Sequence, residues 1–150
     1  MKIRKLNKTE KPPFSLLLLA DPSEELIEAY LRKGECYVAE EEKEIIGVMV
    51  LVQKNDETLE LMNIAVDEKH QGRGIGKQLI LYAVDQAREK GYQFIEVGTG
   101  NSSIGQLTLY QKCGFRIKEI VHDFFVKNYP EPIFENGIQC RDMIRLTMRL

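Results

Sequence analysis

The chain has 150 residues, 43% apolar and 29% charged, with a formal net charge of −2. That length allows one domain with a real core and is too short for two, so residues 1–150 read as a single domain. The slightly acidic balance excludes a protein held to nucleic acid by broad phosphate contacts, which would carry a basic surplus.

Residues 2–6 read as a short first strand, broken by Pro12-Pro13. The apolar run Phe14–Ala20 is too short to span a membrane and has no small-residue cleavage site, so a cytoplasmic location is expected, and Leu16–Ala20 reads as part of a short helix. Pro22-Ser23-Glu24-Glu25 starts a second helix, whose apolar face is Leu26, Ile27, Tyr30 and Leu31. Residues 36–39, 45–52 and 58–66 are strand-like runs separated by charged turns, which predicts an antiparallel meander. A glycine-rich segment then leads into a helix with Leu79, Ile80, Tyr82, Ala83 and Ala87 on one side, closed by Gly91. Residues 94–97 form a strand, 103–112 a helix ended by Gly114, and 115–126 a further strand. A loop from 128 to 137 precedes a closing strand, 139–150, expected in a hairpin with its predecessor. This order predicts an α+β fold around one mixed sheet.

Cys36, Cys113 and Cys140 show no paired spacing, and His70 and His122 lie far apart. Reduced, packed thiols are expected, with no disulfide framework and no metal.

The most informative segment is Gln71-Gly72-Arg73-Gly74-Ile75-Gly76, between a strand and a helix. Backbone N–H groups at such a turn are unpaired, converge on one point and sit at the positive end of the helix dipole. Glycines let the backbone approach a ligand closely, and Arg73 and Lys77 add positive charge, so the segment reads as a diphosphate site. A Walker A loop fails here, because Gly76-Lys77 is followed by Gln78 and the first glycine's place holds Gln71. A dinucleotide fingerprint fails too, since it would need glycine at Lys77.

The segment fits [QR]-x-x-G-x-[GA] and resembles the coenzyme A pyrophosphate loop of the GNAT (GCN5-related N-acetyltransferase) family. The preceding Leu61-Met62-Asn63-Ile64-Ala65-Val66-Asp67 and the later Leu109-Tyr110-Gln111-Lys112-Cys113-Gly114-Phe115 resemble that family's strand and its [LF]-Y-x-x-x-G-F segment. The element order agrees as well, so the resemblance covers nearly the whole chain. It implies a three-layer α/β/α fold, with a twisted, mostly antiparallel sheet of about seven strands, in which the fourth strand carries a bulge and splays from the fifth to make a slot.

It further implies an N-acetyltransferase that moves acetyl from acetyl-CoA to an amine. Gln71, Gly72, Arg73, Gly74, Ile75, Gly76 and Lys77 would hold the pyrophosphate. The pantetheine arm would run along the strand edge at Ile64, Ala65 and Val66, with the Ile64 N–H facing the thioester carbonyl. Tyr110 is the candidate general acid, or a hydrogen-bond donor to the sulfur. Glu60 is the candidate base, acting through water, or an ordinary strand carboxylate. Where relatives carry an asparagine seven residues before the tyrosine this chain has Ser103, with Asn101 two residues earlier, so either could bond the pantetheine.

The acceptor is an amine of a small molecule, peptide or protein. Phe124, Phe125, Tyr129 and Phe134 with Glu131 and Glu135 can form a pocket for a cationic amine, or the loop can cap the core or join a homodimer. A coenzyme-A-binding regulatory domain without turnover is the alternative reading.

Overall fold

A computed structural model describes residues Met1–Leu150. The elements are β1 (Lys2–Lys5), α1 (Phe14–Ala20), α2 (Glu24–Lys33), β2 (Glu35–Glu41), β3 (Glu44–Gln53), β4 (Thr58–Val66) and α3 (Ile75–Glu89). They continue as β5 (Phe94–Gly100), α4 (Ile104–Lys112), β6 (Arg116–Val121), α5 (Phe124–Asn128), β7 (Phe134–Glu135), β8 (Ile138–Gln139) and β9 (Met143–Arg149). Seven strands form one sheet in the order β1-β2-β3-β4-β5-β9-β6, while β7 and β8 make a separate ribbon. All neighbours in the large sheet are antiparallel except β4 and β5.

Helices α3 and α4 cover one face, where Leu79, Ile80, Ala83 and Tyr110 pack on Leu59, Leu61, Ile95 and Leu146. Helices α1 and α2 cover part of the other, burying Leu17, Ile27 and Tyr30 against Val38, Val48 and Val50. The three-layer α/β/α arrangement is therefore observed. Local chemistry sets the helix ends. Ser23 Oγ accepts from the Leu26 N–H at 3.2 Å, Glu24 and Glu25 sit in the first turn of α2, and Arg32 and Lys33 in its last. Gly91 and Gly114, at φ +82° and +104°, terminate α3 and α4.

The C-terminal third differs from expectation. The strand expected to reach residue 126 stops at Val121, because Asp123 takes φ 58° and reverses the chain into α5. The Asp123 N–H donates to Asp142 Oδ1 at 2.9 Å, which holds that reversal. The expected loop contains the β7–β8 hairpin, turned at Asn136-Gly137 with φ 56° and 72°, as an Asn-Gly turn allows. β9 begins at Met143 and lies between β5 and β6, so its pairing with β6 spans α5 and the ribbon rather than a tight turn.

The slot arises from two features of β4. It pairs with β5 only from Thr58 to Leu61, opposite Phe94 to Val97. Beyond that point β4 carries a bulge: Leu51 lies opposite Leu61 and Val50 opposite Asn63, leaving Met62 unpaired. The extra residue reverses the alternation. Leu59, Leu61, Ile64 and Val66 face the α3 side, while Asn63 and Ala65 turn toward α1 and α2.

Leu79 is fully buried and anchors α3 to the sheet directly beneath the glycine loop. Leu79→Ala is expected to cost about 2–5 kcal/mol of unfolding free energy, measured by urea denaturation.

Candidate active site

Gly72 and Gly74 have φ +81° and +80°, and a Cβ at either would meet nothing within 4 Å. The left-handed backbone there requires glycine, and the space above it is open. No backbone N–H from residue 72 to residue 77 donates to a protein carbonyl. Six adjacent unpaired donors thus lie at the start of a 15-residue helix, and five of the six residues border one opening. This opening is a cavity of about 330 Å³. Of the expected coenzyme residues, Ile64, Ala65, Val66, Gln71, Gly72, Gly74, Ile75, Gly76, Lys77 and Tyr110 line it, with His70 and Gln106 in addition.

Arg73 does not line it. Its guanidinium binds Glu41, the last residue of β2, at 2.9 and 3.3 Å, outside the place expected for a phosphate ligand. That contact raises the Arg73 pKa and lowers that of Glu41. His70 carried no signal beyond its place beside the loop; its Nδ1 lies 2.8 Å from Asp67 Oδ2.

The open edge of β4 can be read from its ladder. The Asp67 N–H donates to Ile46 O at 2.8 Å, so the main-chain groups of residues 63 and 65 also face β3. Those of Ile64 and Val66 face the slot, as expected for strand-like pairing with a ligand. The Gln71 Nε2 donates to Val66 O at 3.0 Å and occupies one of these edge positions.

A second cavity, about 530 Å³, opens on the α1–α2 side of the slot. Ile64, Tyr110, Gln106, Leu19 and Ala20 line both cavities, so the two chambers meet there. Tyr110 is 3% exposed and its ring lies 5.9 Å from that of Phe115. Burial, then the neighbouring Cys113, raises its pKa. Its hydroxyl makes no hydrogen bond to the protein, unlike those of Tyr30, Tyr37 and Tyr129.

Three expected site residues fall elsewhere or are already engaged. Glu60 lines neither cavity. It sits on the uncovered half of the sheet, 3.7 Å from Arg145, beside the buried Glu96, which Lys54 and Lys118 bind. Burial raises the Glu60 pKa more than Arg145 and Lys54 lower it. Asn101 also lines neither cavity. Its amide donates to Gln139 O and accepts from the N–H groups of Arg141 and Asp142, tying the end of β5 to the start of β9. The structure thus places both outside the two cavities, Asn101 with its amide fully hydrogen-bonded and Glu60 facing Arg145. Ser103 does line the second cavity, where its Oγ donates to Glu135 at 2.7 Å.

Of the expected acceptor wall, Phe124, Phe125, Tyr129, Phe134 and Glu135 line the second cavity and Glu131 does not. Asp21 does, although nothing in its local sequence marks it beyond a turn between helices. No group of three His, Cys, Asp or Glu side chains could hold a metal ion. No helix is long and apolar enough to cross a membrane.

A twisted sheet splayed at a bulged strand, with a glycine loop on the next helix and a buried tyrosine at the junction, defines an acyl-coenzyme-A-type transferase fold. Residues 3–115 match the Acetyltransferase (GNAT) family profile, and the chain belongs to that family. It is 57% identical over 137 residues to the uncharacterized N-acetyltransferase YvbK of Bacillus subtilis (strain 168), covering 91% of this chain and 88% of that protein. A GNAT family acetyltransferase from Elizabethkingia anophelis, solved with acetyl-CoA bound, superposes with TM-score 0.98 at 54% identity, over 99% of this chain and 97% of that one. The IAA acetyltransferase from Bacillus cereus ATCC 14579 superposes with TM-score 0.96 at 56% identity, over 99% of both chains.

Gly74→Asp puts bulk and negative charge where the six donors converge, and is expected to abolish acetyl-CoA binding in a calorimetric titration. Gly74→Ala should lose about 1–2 kcal/mol of stability from its left-handed backbone and weaken binding as well; full affinity in both variants would remove the loop from the site.

Proposed function

We propose that residues 1–150 act as one domain that transfers the acetyl group of acetyl-CoA to a primary amine by direct attack in a ternary complex. The observation that carries this is the meeting of the two cavities at Ile64 and Tyr110. One chamber has the donors for a diphosphate and an open strand edge for the pantetheine. The other has room for an acceptor and reaches the same point.

In this scheme the pyrophosphate rests on the N–H groups of residues 72–77, with Lys77 adding charge. The pantetheine lies along the backbone of Ile64 and Val66, and the Gln71 side chain yields its bond to Val66 O. The Ile64 N–H then points at the thioester carbonyl. The neutral amine attacks that carbon, the C–N bond forms, and the carbonyl oxygen takes up negative charge. One well-placed N–H at that oxygen is worth about 3 kcal/mol of barrier. When the intermediate collapses the C–S bond breaks, and the Tyr110 hydroxyl gives its proton to the departing thiolate of coenzyme A. The products are the N-acetyl amine and the free thiol; the amine's surplus proton passes to water, and water returns one to the Tyr110 phenolate. Holding both reactants at one point supplies roughly 7–11 kcal/mol more.

Glu60 has no proton-transfer step here, because it lies outside both chambers and faces Arg145. The unpartnered hydroxyl of Tyr110 favours catalysis over a purely coenzyme-A-sensing role, since it is left free at the junction.

Tyr110→Phe is expected to lower kcat about a hundredfold while acetyl-CoA affinity, read by calorimetry, changes by less than about twofold. Because burial raises the Tyr110 pKa above its ordinary value of about 10, the hydroxyl stays protonated on the alkaline side. The wild-type kcat should therefore hold, without an alkaline fall, up to about pH 10. A full-rate phenylalanine variant would remove the acid from the mechanism.

A further inference from the structure

The second cavity has a one-sided charge. Twenty-six residues line it, and none is Lys, Arg or His; its charged members are Asp21 and Glu135. The rest of the wall is mostly apolar, with Phe124, Phe125 and Tyr129 in successive ring contacts at 5.2 and 5.7 Å. An anionic or zwitterionic acceptor would find no counter-charge in this chamber, whereas an ammonium on an apolar body would find both a carboxylate and aromatic faces.

Of the two carboxylates, Asp21 is the more firmly placed. Its Oδ1 accepts from the Tyr129 hydroxyl at 2.9 Å and from the Ser23 N–H at 3.1 Å, and its Oδ2 accepts from the Tyr30 hydroxyl at 3.1 Å. A carboxylate has about four acceptor positions, so one, on Oδ2, is left for a ligand. The same network runs on to the reaction point. The Asn63 Nδ2 donates to the Tyr30 hydroxyl at 2.8 Å and to Leu17 O at 3.1 Å, and Asn63 immediately precedes Ile64. Asn63 is 4% exposed, lines the chamber, and its Oδ1 has no donor within the protein. Asp21 Oδ2 and Asn63 Oδ1 thus both have unused acceptor capacity, on two lining residues joined through the Tyr30 hydroxyl.

We infer that Asp21, braced by Tyr30 and Tyr129, is the specificity-determining carboxylate of the acceptor chamber, and that the acceptor class is a primary ammonium on an apolar or aromatic body without a carboxylate of its own. The inference rests on the second cavity being the acceptor chamber. Asp21 takes one N–H of the arriving ammonium in a charge-assisted hydrogen bond, and the aromatic wall takes the body. Glu135, already bonded to Ser103, stands at the ribbon side of the chamber.

The test compares phenethylamine with phenylalanine, which has the same skeleton plus a carboxylate, in steady-state acetylation by the wild type, Asp21→Asn and Glu131→Gln. The wild type is expected to prefer phenethylamine by roughly tenfold or more in kcat/KM. Asp21→Asn keeps an oxygen acceptor but loses the charge; it should raise the phenethylamine KM roughly tenfold with the acetyl-CoA KM little changed. Glu131→Gln removes a charge from the same segment outside the chamber and should change neither. Titrating phenethylamine into the complex with coenzyme A gives a binding readout without turnover, and should show affinity lost in Asp21→Asn alone. Equal use of phenylalanine by the wild type, or an unchanged amine KM and affinity in Asp21→Asn, would overturn the assignment. The wild-type preference needs no variant, so it decides the charge class even if Asp21→Asn does not fold. Failure of the reading beneath it looks different: the wild type would bind no acetyl-CoA, or would bind it and neither bind nor acetylate either amine.

Discussion

The parallel pairing of β4 with β5 ends at Leu61 and Val97, and the bulge at Met62 follows at once. A continuous ladder would have filled the edge of β4 with main-chain bonds from β5. The break instead leaves the slot-facing groups of Ile64 and Val66 free for a ligand. Because the bulge also reverses the alternation, Ile64 faces the α3 side, where the glycine loop lies. Asn63 faces α1 and α2, where the second cavity lies. One extra residue therefore gives the strand an address on both sides of the sheet. The protein tolerates the unpaired edge because β3 still pairs with β4 on its other side and both faces are packed.

The two chambers differ in kind. The donor side is built from main chain: six consecutive N–H groups, glycines without Cβ atoms, and the start of a long helix. Such a site recognises a diphosphate by geometry and dipole, with little dependence on which side chains surround it. The second cavity is lined mainly by side chains, drawn from α1, α2, α5 and the β7–β8 ribbon as well as from β4 and β5. Its polarity is set by a few carboxylates and hydroxyls against apolar walls. A shared donor with a variable acceptor is what this division of material permits.

That division also explains how much could be read in the sequence. Local signals carried the helix ends, the glycine loop and the tyrosine of α4, because each depends on neighbours a few residues away. The resemblance implies a bulge here, and the apolar alternation shifts from Leu59 and Leu61 to Ile64 and Val66, but which residue leaves the ladder is settled by pairing with β3 rather than by its neighbours in sequence. Asp21 was missed for a similar reason, since it is completed by Tyr129, 108 residues later. Asn101 and Glu60 were placed by their distance from the loop and tyrosine, yet each is claimed by a residue from the last dozen of the chain or just before it. Asn101 answers to Gln139, Arg141 and Asp142, and Glu60 to Arg145. The same C-terminal stretch held the misread strand end, where Asp123 and Asp142 turn the chain into α5.

The central claim is that acetyl-CoA binds as an added strand on β4 with its pyrophosphate on the loop. A backbone-amide NMR titration of the wild-type protein with acetyl-CoA tests it most directly. The account predicts saturable shifts that are largest at Ile64, Val66 and residues 72–77, with Mg-ATP producing none at Ile64 and Val66. Saturable shifts confined to other surfaces, or no binding, would contradict it.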